Sequence, residues 1–151
     1  MVATFKVELP PPFNEAGLKP ALTPEGRPLT PRLTLPLKPL PQKQAFLHGH
    51  CHQKAFGAMS AVQEVLALVP DLAVKPIESS CCGMAGSFGY EAEHYATSVA
   101  MAELSLMPAV RQASADTLIV ADGTSCRHQI ADGANRHALH VAQVLERALS
   151  S

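Results

Sequence analysis

Thr117-Leu-Ile-Val-Ala-Asp-Gly-Thr-Ser-Cys126 is the stretch on which the fold turns. Thr117–Ala121 is the clearest buried strand in the chain, a short aliphatic and β-branched run closed by a turn signal. Asp122-Gly123 supplies that turn, and Thr124 or Ser125 is placed to cap a following helix. Downstream, Val141, Val144, Leu145, Ala148 and Leu149 mark a final amphipathic helix. Upstream, residues 91–107 carry a long helical pattern with Tyr95, Val99, Ala102 and Leu106 on one stripe, which Pro108 interrupts or kinks. Further back, Leu72–Ile77 reads as a strand, with Pro76 assigning it to an edge or to its own end. Val62, Val65, Leu66 and Val69 fall at i, i+3, i+4 and i+7, one buried helical face, with Ser60-x-x-Gln63 as a plausible capping box. Gln44–His48 reads as the first strand, followed by Gly49. Strand and helix alternate three times, which predicts an α/β fold: a small parallel sheet with flanking helices, in Rossmann-like or flavodoxin-like layering.

The four cysteines all fall after strands. Cys51 follows Gln44–His48, Cys81 and Cys82 follow Leu72–Ile77, and Cys126 follows Thr117–Ala121. In open parallel sheets the carboxyl ends of the strands form the ligand crevice, so three separate segments converge there, each bringing thiol. Each thiol also lies near a helix start or in a glycine-rich loop, a setting that favours thiolate, the metal-binding form. Gly83 and Gly86 let the backbone approach a bulky ligand. Four thiolates suit a [4Fe–4S] cluster or zinc. Twenty-nine residues separate Cys51 from Cys81 and 43 separate Cys82 from Cys126, which is neither a ferredoxin run nor a pair of Cys-x-x-Cys knuckles. Cys51 or Cys126 taken singly reads as a buried core residue. The adjacent pair in a glycine loop does not, although a strained disulfide between Cys81 and Cys82 is an alternative.

His50-Cys51-His52 is a cluster with His48 just before it, and His128 lies close to Cys126. Imidazole serves either as a ligand or as the partner that orients one, and it also caps helices. His50, His52 and His128 are the candidates for the supporting role. His94, His137 and His140 read as ordinary helix residues, and Arg127 either neutralises an anionic group or is solvated.

Composition sets the boundaries. The 151 residues suit one domain, and 12 Lys+Arg against 13 Asp+Glu leave no basic footprint for nucleic acid. Residues 45–151 are mildly acidic, with six basic and ten acidic groups. No apolar run is long enough for a bilayer span and the N-terminus does not read as a signal peptide, so cysteine usage points to metal or redox chemistry in the cytoplasm. Ten of the 13 prolines lie in residues 10–41, where neither helix nor sheet is expected to run. Residues 1–43 therefore read as a Pro-rich linker or surface strap, pinned by leucines such as Leu33, Leu35, Leu37 and Leu40, and residues 44–151 as the cysteine-rich domain. A chain that begins this way reads as a piece of a longer protein.

His50-Cys51-His52-Gln53-Lys54, Ser80-Cys81-Cys82-Gly83-Met84-Ala85-Gly86-Ser87-Phe88-Gly89 and Gly123-Thr124-Ser125-Cys126-Arg127-His128-Gln129-Ile130 together resemble the cysteine-rich CCG domain. That domain occurs in the iron–sulfur subunit of glycolate oxidase, in lactate-utilisation proteins, in heterodisulfide reductase and at the C-terminal end of fusions that join an FAD-linked oxidase to ferredoxin-like segments. The resemblance covers roughly residues 44–149. It implies that Cys51, Cys81, Cys82 and Cys126 bind a [4Fe–4S] cluster. Many CCG domains end in Cys-x-x-Cys, whereas Gln129 occupies the second position here, which favours one four-thiolate site over a five-cysteine, two-cluster site.

The resemblance further implies a non-catalytic electron-transfer domain of a flavin-dependent oxidoreductase acting on a 2-hydroxy acid of the glycolate or lactate type. FAD and ferredoxin-type clusters would then sit on other domains of the same or a partner chain, and the whole would be cytoplasmic, or peripheral at the inner membrane through its parent complex. The rival readings are a zinc-binding structural or docking module and a thiol–disulfide redox domain using Cys81 and Cys82.

Overall fold

A computed structural model describes residues 2–6, 32–79 and 81–150, and the chain divides into two compact units, Met1–Pro36 and Leu37–Ser151. In the first unit, β1 (Val2–Lys6) pairs antiparallel with β2 (Arg32–Pro36), Thr4 opposite Thr34. The density of proline was expected to keep sheet out of residues 10–41, and β2 corrects that expectation. Proline is tolerated because Pro31 precedes the strand and Pro36 is its last residue, so no interior rung of a two-stranded ribbon loses its N–H. The rest of the Pro-rich stretch, residues 7–31, lies outside the described residues.

The second unit is an α/β fold. Its elements run β3 (Gln44–His48), α1 (Cys51–Ala55), α2 (Met59–Leu66), β4 (Ala73–Pro76), a 3₁₀ turn (Phe88–Tyr90), α3 (Tyr95–Glu103), α4 (Leu106–Gln112), β5 (Leu118–Ala121), α5 (Thr124–Ala134), β6 (Ala138–Leu139) and α6 (Val141–Ser150). The four strands are all parallel, in the order β4-β3-β5-β6. Chain order and spatial order part company at β3: the chain steps outward to β4, then returns to the other side of β3 for β5. That is a topological switch point, and the crevice it creates lies at the carboxyl ends of β3 and β5. β4 is an edge strand ending in Pro76, as its proline requires.

β5 is buried at all four positions, and Ile119 and Ala121 share one core cluster with Met107, Val110, Ile130 and the cysteines Cys82 and Cys126. Leu37 and Leu40 are buried in the same unit, where the Lys38 amide donates to the Ala148 carbonyl of α6 at 2.8 Å.

Several local expectations are corrected. Val65 is exposed, and α2 buries Leu66 at its end. The α2 cap is Ala58, with no side-chain bond from Ser60. Residues 91–107 hold two helices that break at Leu104-Ser105, and Pro108 stands in the first turn of α4, where its missing N–H breaks no intrahelical bond. The buried positions of α3 are Ser98 and Ala102, while Tyr95 faces solvent. α5 starts at Thr124, with Gly123 at its cap and no side-chain cap bond.

Candidate functional site

Each loop leaving the carboxyl edge of the sheet is shaped locally by its sequence. After β3, His50 caps α1: its ring accepts from the His52 amide at 3.3 Å, and the Gln53 side chain accepts from the His50 amide at 2.9 Å. The Gln53 amide group then donates to the Asp122 carboxylate at 2.5 Å, tying the first loop to the end of β5. Asp122 also accepts from the Val141 amide at 2.9 Å, so one carboxylate holds the starts of α1 and α6 together. After β4, the cysteine loop turns through positive φ at Gly83 (+89°), Ala85 (+40°) and Gly86 (+72°). Gly83 is required on two counts: its φ lies in the left-handed region, and a Cβ there would fall onto the Ser98 carbonyl oxygen of α3. After β5, Gly123 leaves the space beside Cys126 open, because a Cβ at that position would stand 2.9 Å from the Cys126 Sγ.

The thiols meet in two pairs. Cys51 Sγ lies 3.5 Å from Cys81 Sγ, and Cys126 Sγ lies 3.2 Å from Cys82 Sγ. The adjacent cysteines thus point to different partners, one in the α1 loop and one at the start of α5. Cys82 and Cys126 are buried, while Cys51 and Cys81 keep partial contact with solvent. The pairs also act on each other electrostatically: charge on Cys82 raises the pKa of Cys51, and charge on Cys51 or Cys81 raises that of Cys126.

Electrostatics separate the members of the inner pair. The bond from Cys126 draws the Cys82 pKa down to about 4, helped by His48 and the Met84 amide and opposed by burial. Cys126 is pushed up, first by that same bond with Cys82 and then by burial. The two buried sulfurs thus differ in direction, Cys82 favouring thiolate and Cys126 the protonated thiol. Cys51 is also raised, by burial and then by Cys81, with Lys54 opposing. At Cys51 and Cys126, burial and a neighbouring sulfur act against the thiolate that a helix start favours.

The histidines take distinct places. His50 and His52 lie at the outer mouth, His50 half-buried as the cap and His52 exposed, their rings edge to face at 5.1 Å. His128 is exposed and its Nδ1 meets the Tyr90 hydroxyl at 2.5 Å. Arg127 is half-buried, and its guanidinium donates to the carbonyls of Ala121 (3.0 Å) and Asp122 (2.7 Å), closing the end of β5. His48, which the sequence marked only as a neighbour of the cluster, is fully buried. One of its ring nitrogens and the sulfurs of Cys82 and Cys126 lie within 4.8 Å of one another. Its period-2 position at the end of a buried strand was the available signal. Gln129, standing where many CCG domains have a second cysteine, is buried and donates to the Ser98 carbonyl (3.3 Å) and hydroxyl (3.1 Å). It braces the segment of α3 that presses on Gly83.

Four soft sulfur donors and a buried imidazole around one crevice define a thiol-built site, suited to a soft metal or an iron–sulfur group. The donor chemistry fits such a group. The Nε2 of His48 fits it too, being a buried polar atom with no hydrogen-bond partner among the described residues.

Comparison with known proteins relates the chain to a dehydrogenase. It is homologous to a subunit of anaerobic glycerol-3-phosphate dehydrogenase from Escherichia coli K12 and to the same protein from Escherichia coli O157:H7, at 36% identity over 117 residues. The match covers 78% of this chain but only 29% of each relative, so the chain spans under a third of their length. No protein-family model matches, and no solved structure matches. Among the described residues no helix is long and apolar enough to cross a membrane.

Proposed function

We propose that residues 44–151 form an iron–sulfur electron-transfer domain of CCG type, serving a larger flavin-linked dehydrogenase, with residues 1–43 as the segment that leads into it. The observation that carries this reading is the convergence of Cys51, Cys81, Cys82 and Cys126 from three strand ends in a chain homologous to a dehydrogenase subunit. In this reading the four thiolates hold one [4Fe–4S] cluster, which supplies one-electron transfer. The protein supplies the rest: Gly123 keeps a Cβ away from the Cys126 sulfur, Gly83 lets the cysteine loop lie against α3, Lys54 offsets negative charge at the outer pair, and the core fixes the inner pair.

FAD and ferredoxin-type clusters belong to other domains, in the same or a partner chain. The substrate of the parent enzyme is a small anionic alcohol. The CCG resemblance implies a 2-hydroxy acid of the glycolate or lactate type, and the relatives' name specifies glycerol 3-phosphate; in each case hydrogen leaves an alcohol carbon close to an anionic group. The assembly would work in the cytoplasm or at the inner face of the membrane.

Zinc is the second reading, because sulfurs 3.2 and 3.5 Å apart approach the ~3.8 Å edge of a tetrahedron with Zn–S near ~2.3 Å. Reconstitution with iron and sulfide without oxygen decides between them. The expected product is brown and carries about four irons per chain. A colourless protein that binds one zinc tightly overturns the electron-transfer role and leaves a structural module.

A further inference from the structure

The apolar stripe of α3 is left partly uncovered. Tyr95, Val99 and Ala102 follow helical spacing, yet only Ala102 is buried, and the three residues line one wall of a cavity of about 480 Å³ between α3, α4 and α5. The floor of that cavity is the core itself: Met84, Ala102 and Met107 belong to the cluster that holds Cys82 and Cys126. The rim is aromatic, with Tyr90 57% and Tyr95 63% exposed. Tyr90 is held in place by its hydroxyl, which meets His128 Nδ1 at 2.5 Å. Tyrosines that present an apolar ring and a wet tip over an apolar floor are typical of surfaces on which another molecule packs.

Charge narrows what that molecule can be. Glu103, Arg111 and Asp132 line the same cavity, and the first two cancel. Arg111 donates to both Glu103 carboxylate oxygens, at 2.8 and 2.7 Å, and to the Gly133 carbonyl at 2.6 Å, so its guanidinium is committed. Asp132 is exposed, and its carboxylate has neither an ion pair nor a hydrogen bond among the described residues. One free carboxylate, two open π-faces and a thioether floor together select a cation carried on an apolar arm. Arginine uses all three: its planar guanidinium stacks on tyrosine and donates to carboxylate in pairs of bonds, and its stem packs along apolar surface.

We propose that this cavity is the docking site for a partner protein segment that inserts an arginine flanked by apolar residues. A protein segment fits better than a free cation, because Leu104, directly after the cavity-lining Glu103, is a further large apolar side chain left exposed. Most of the relatives' length also lies outside the part that this chain matches, which leaves room for such a partner in the parent protein. The position of the cavity gives the docking a use. Met84 lines it, and the Met84 amide bonds to the Cys82 sulfur, so a seated segment bears on the loop that holds the inner pair. An electron-transfer partner would approach the bound centre from this side; that step alone rests on the iron–sulfur reading, and the docking does not.

Methionine-methyl NMR of the full, reduced, metal-free chain tests this. Met84 and Met107 report on the cavity, and Met59, which stands beside Gly49, is the internal control. The probe is the capped tripeptide acetyl-Leu-Arg-Leu-amide, which should shift the Met84 and Met107 methyls saturably and leave Met59 unmoved. The same peptide with glutamate in place of arginine should not bind. Asp132→Asn and Tyr95→Leu, both at exposed positions that the fold does not depend on, should each weaken binding by about two- to fivefold. Still methyls with the arginine peptide, equal binding of the two peptides, or unchanged affinity in either variant overturns the proposal. Ethylguanidinium binding as tightly as the tripeptide makes the cavity a small-cation site and also overturns the docking role. No iron enters these titrations, so their result stands even if reconstitution sinks the electron-transfer reading.

Discussion

The crevice has an inner half and an outer half, built on different terms. Cys82 and Cys126, with relative exposures of 2% and 0%, belong to the hydrophobic core beside Ile119, Ala121 and Ile130. Cys51 and Cys81 stand at the mouth, on the short helix α1 and the loop that faces it. The inner sulfurs are held from every side: by His48 on β3, by Gly83 against α3, and by Gln129 bracing Ser98. The outer pair depends on one capping box and on the Gly83 amide, which donates to Cys81 Sγ at 3.3 Å. A buried ligand cannot be replaced without disturbing the core, whereas at the mouth water can enter in its place.

The largest effect should come from removing one sulfur of each half. Cys82→Ser should abolish the brown colour on anaerobic reconstitution. Cys51→Ser should retain part of it, because a serine oxygen or water can serve an open corner. Iron content per chain and visible absorption measure both. Equal losses would erase the distinction between the halves, and a full complement of iron in Cys82→Ser would show that the adjacent cysteines are not joint ligands.

Oxidation of the metal-free protein should sharpen the comparison. With hydrogen peroxide, each pair gives up two S–H protons and two electrons to form an S–S bond, and each peroxide is reduced to two waters. Non-reducing peptide mapping should find Cys51 joined to Cys81 first and Cys82 joined to Cys126 more slowly, following exposure. A bridge between Cys81 and Cys82 as the main product would contradict the pairing at 3.5 and 3.2 Å.

Two glycines of one loop set the next scale. Gly83→Ala combines a positive φ with a Cβ driven into the Ser98 carbonyl, a destabilisation of about 2–4 kcal/mol. Gly86→Ala has a similar φ of +72° but open space around it, so only the backbone term of about 1–2 kcal/mol remains. Denaturant midpoints compare the two directly. Equal losses would mean that close approach at the inner half contributes nothing.

Much of this arrangement was legible in the sequence, and the part that was not has a physical reason. Gln44–His48 matches β3 residue for residue, and Thr117–Ala121 contains β5, because continuous apolar runs closed by glycine turns are local signals. Placing cysteines after strands was enough to bring three loops to one edge. The two-residue strand β6 left no periodic trace, and Tyr95 and Val65 obeyed helical spacing yet face solvent, because spacing defines a stripe without saying what covers it. The partition of four thiols into two pairs, and the burial of His48 beside one of them, depend on β4 lying on one side of β3 and β5 on the other. That order is a tertiary fact, which no local pattern encodes.

The smallest effects should appear among the outer histidines, and they separate two neighbours that look alike in sequence. The His50 ring accepts the His52 amide and packs against Gly123, so His50→Ala removes the cap of α1. A lost N-cap costs about 1 kcal/mol, and this one should also loosen the tie from Gln53 to Asp122. His52 contributes only its backbone N–H to that cap, and its ring is exposed, so His52→Ala leaves the cap in place and should change stability by no more than about 0.5 kcal/mol. Thermal or denaturant unfolding of the metal-free chain measures the difference. Iron uptake adds a second readout: His52→Ala should reconstitute like the unaltered protein, and His50→Ala should load fully but lose iron faster to a chelator, because the loop carrying Cys51 is less well held. Rapid loss of iron in His52→Ala instead would move that ring from the rim into the binding set and make the outer half as tightly determined as the inner one.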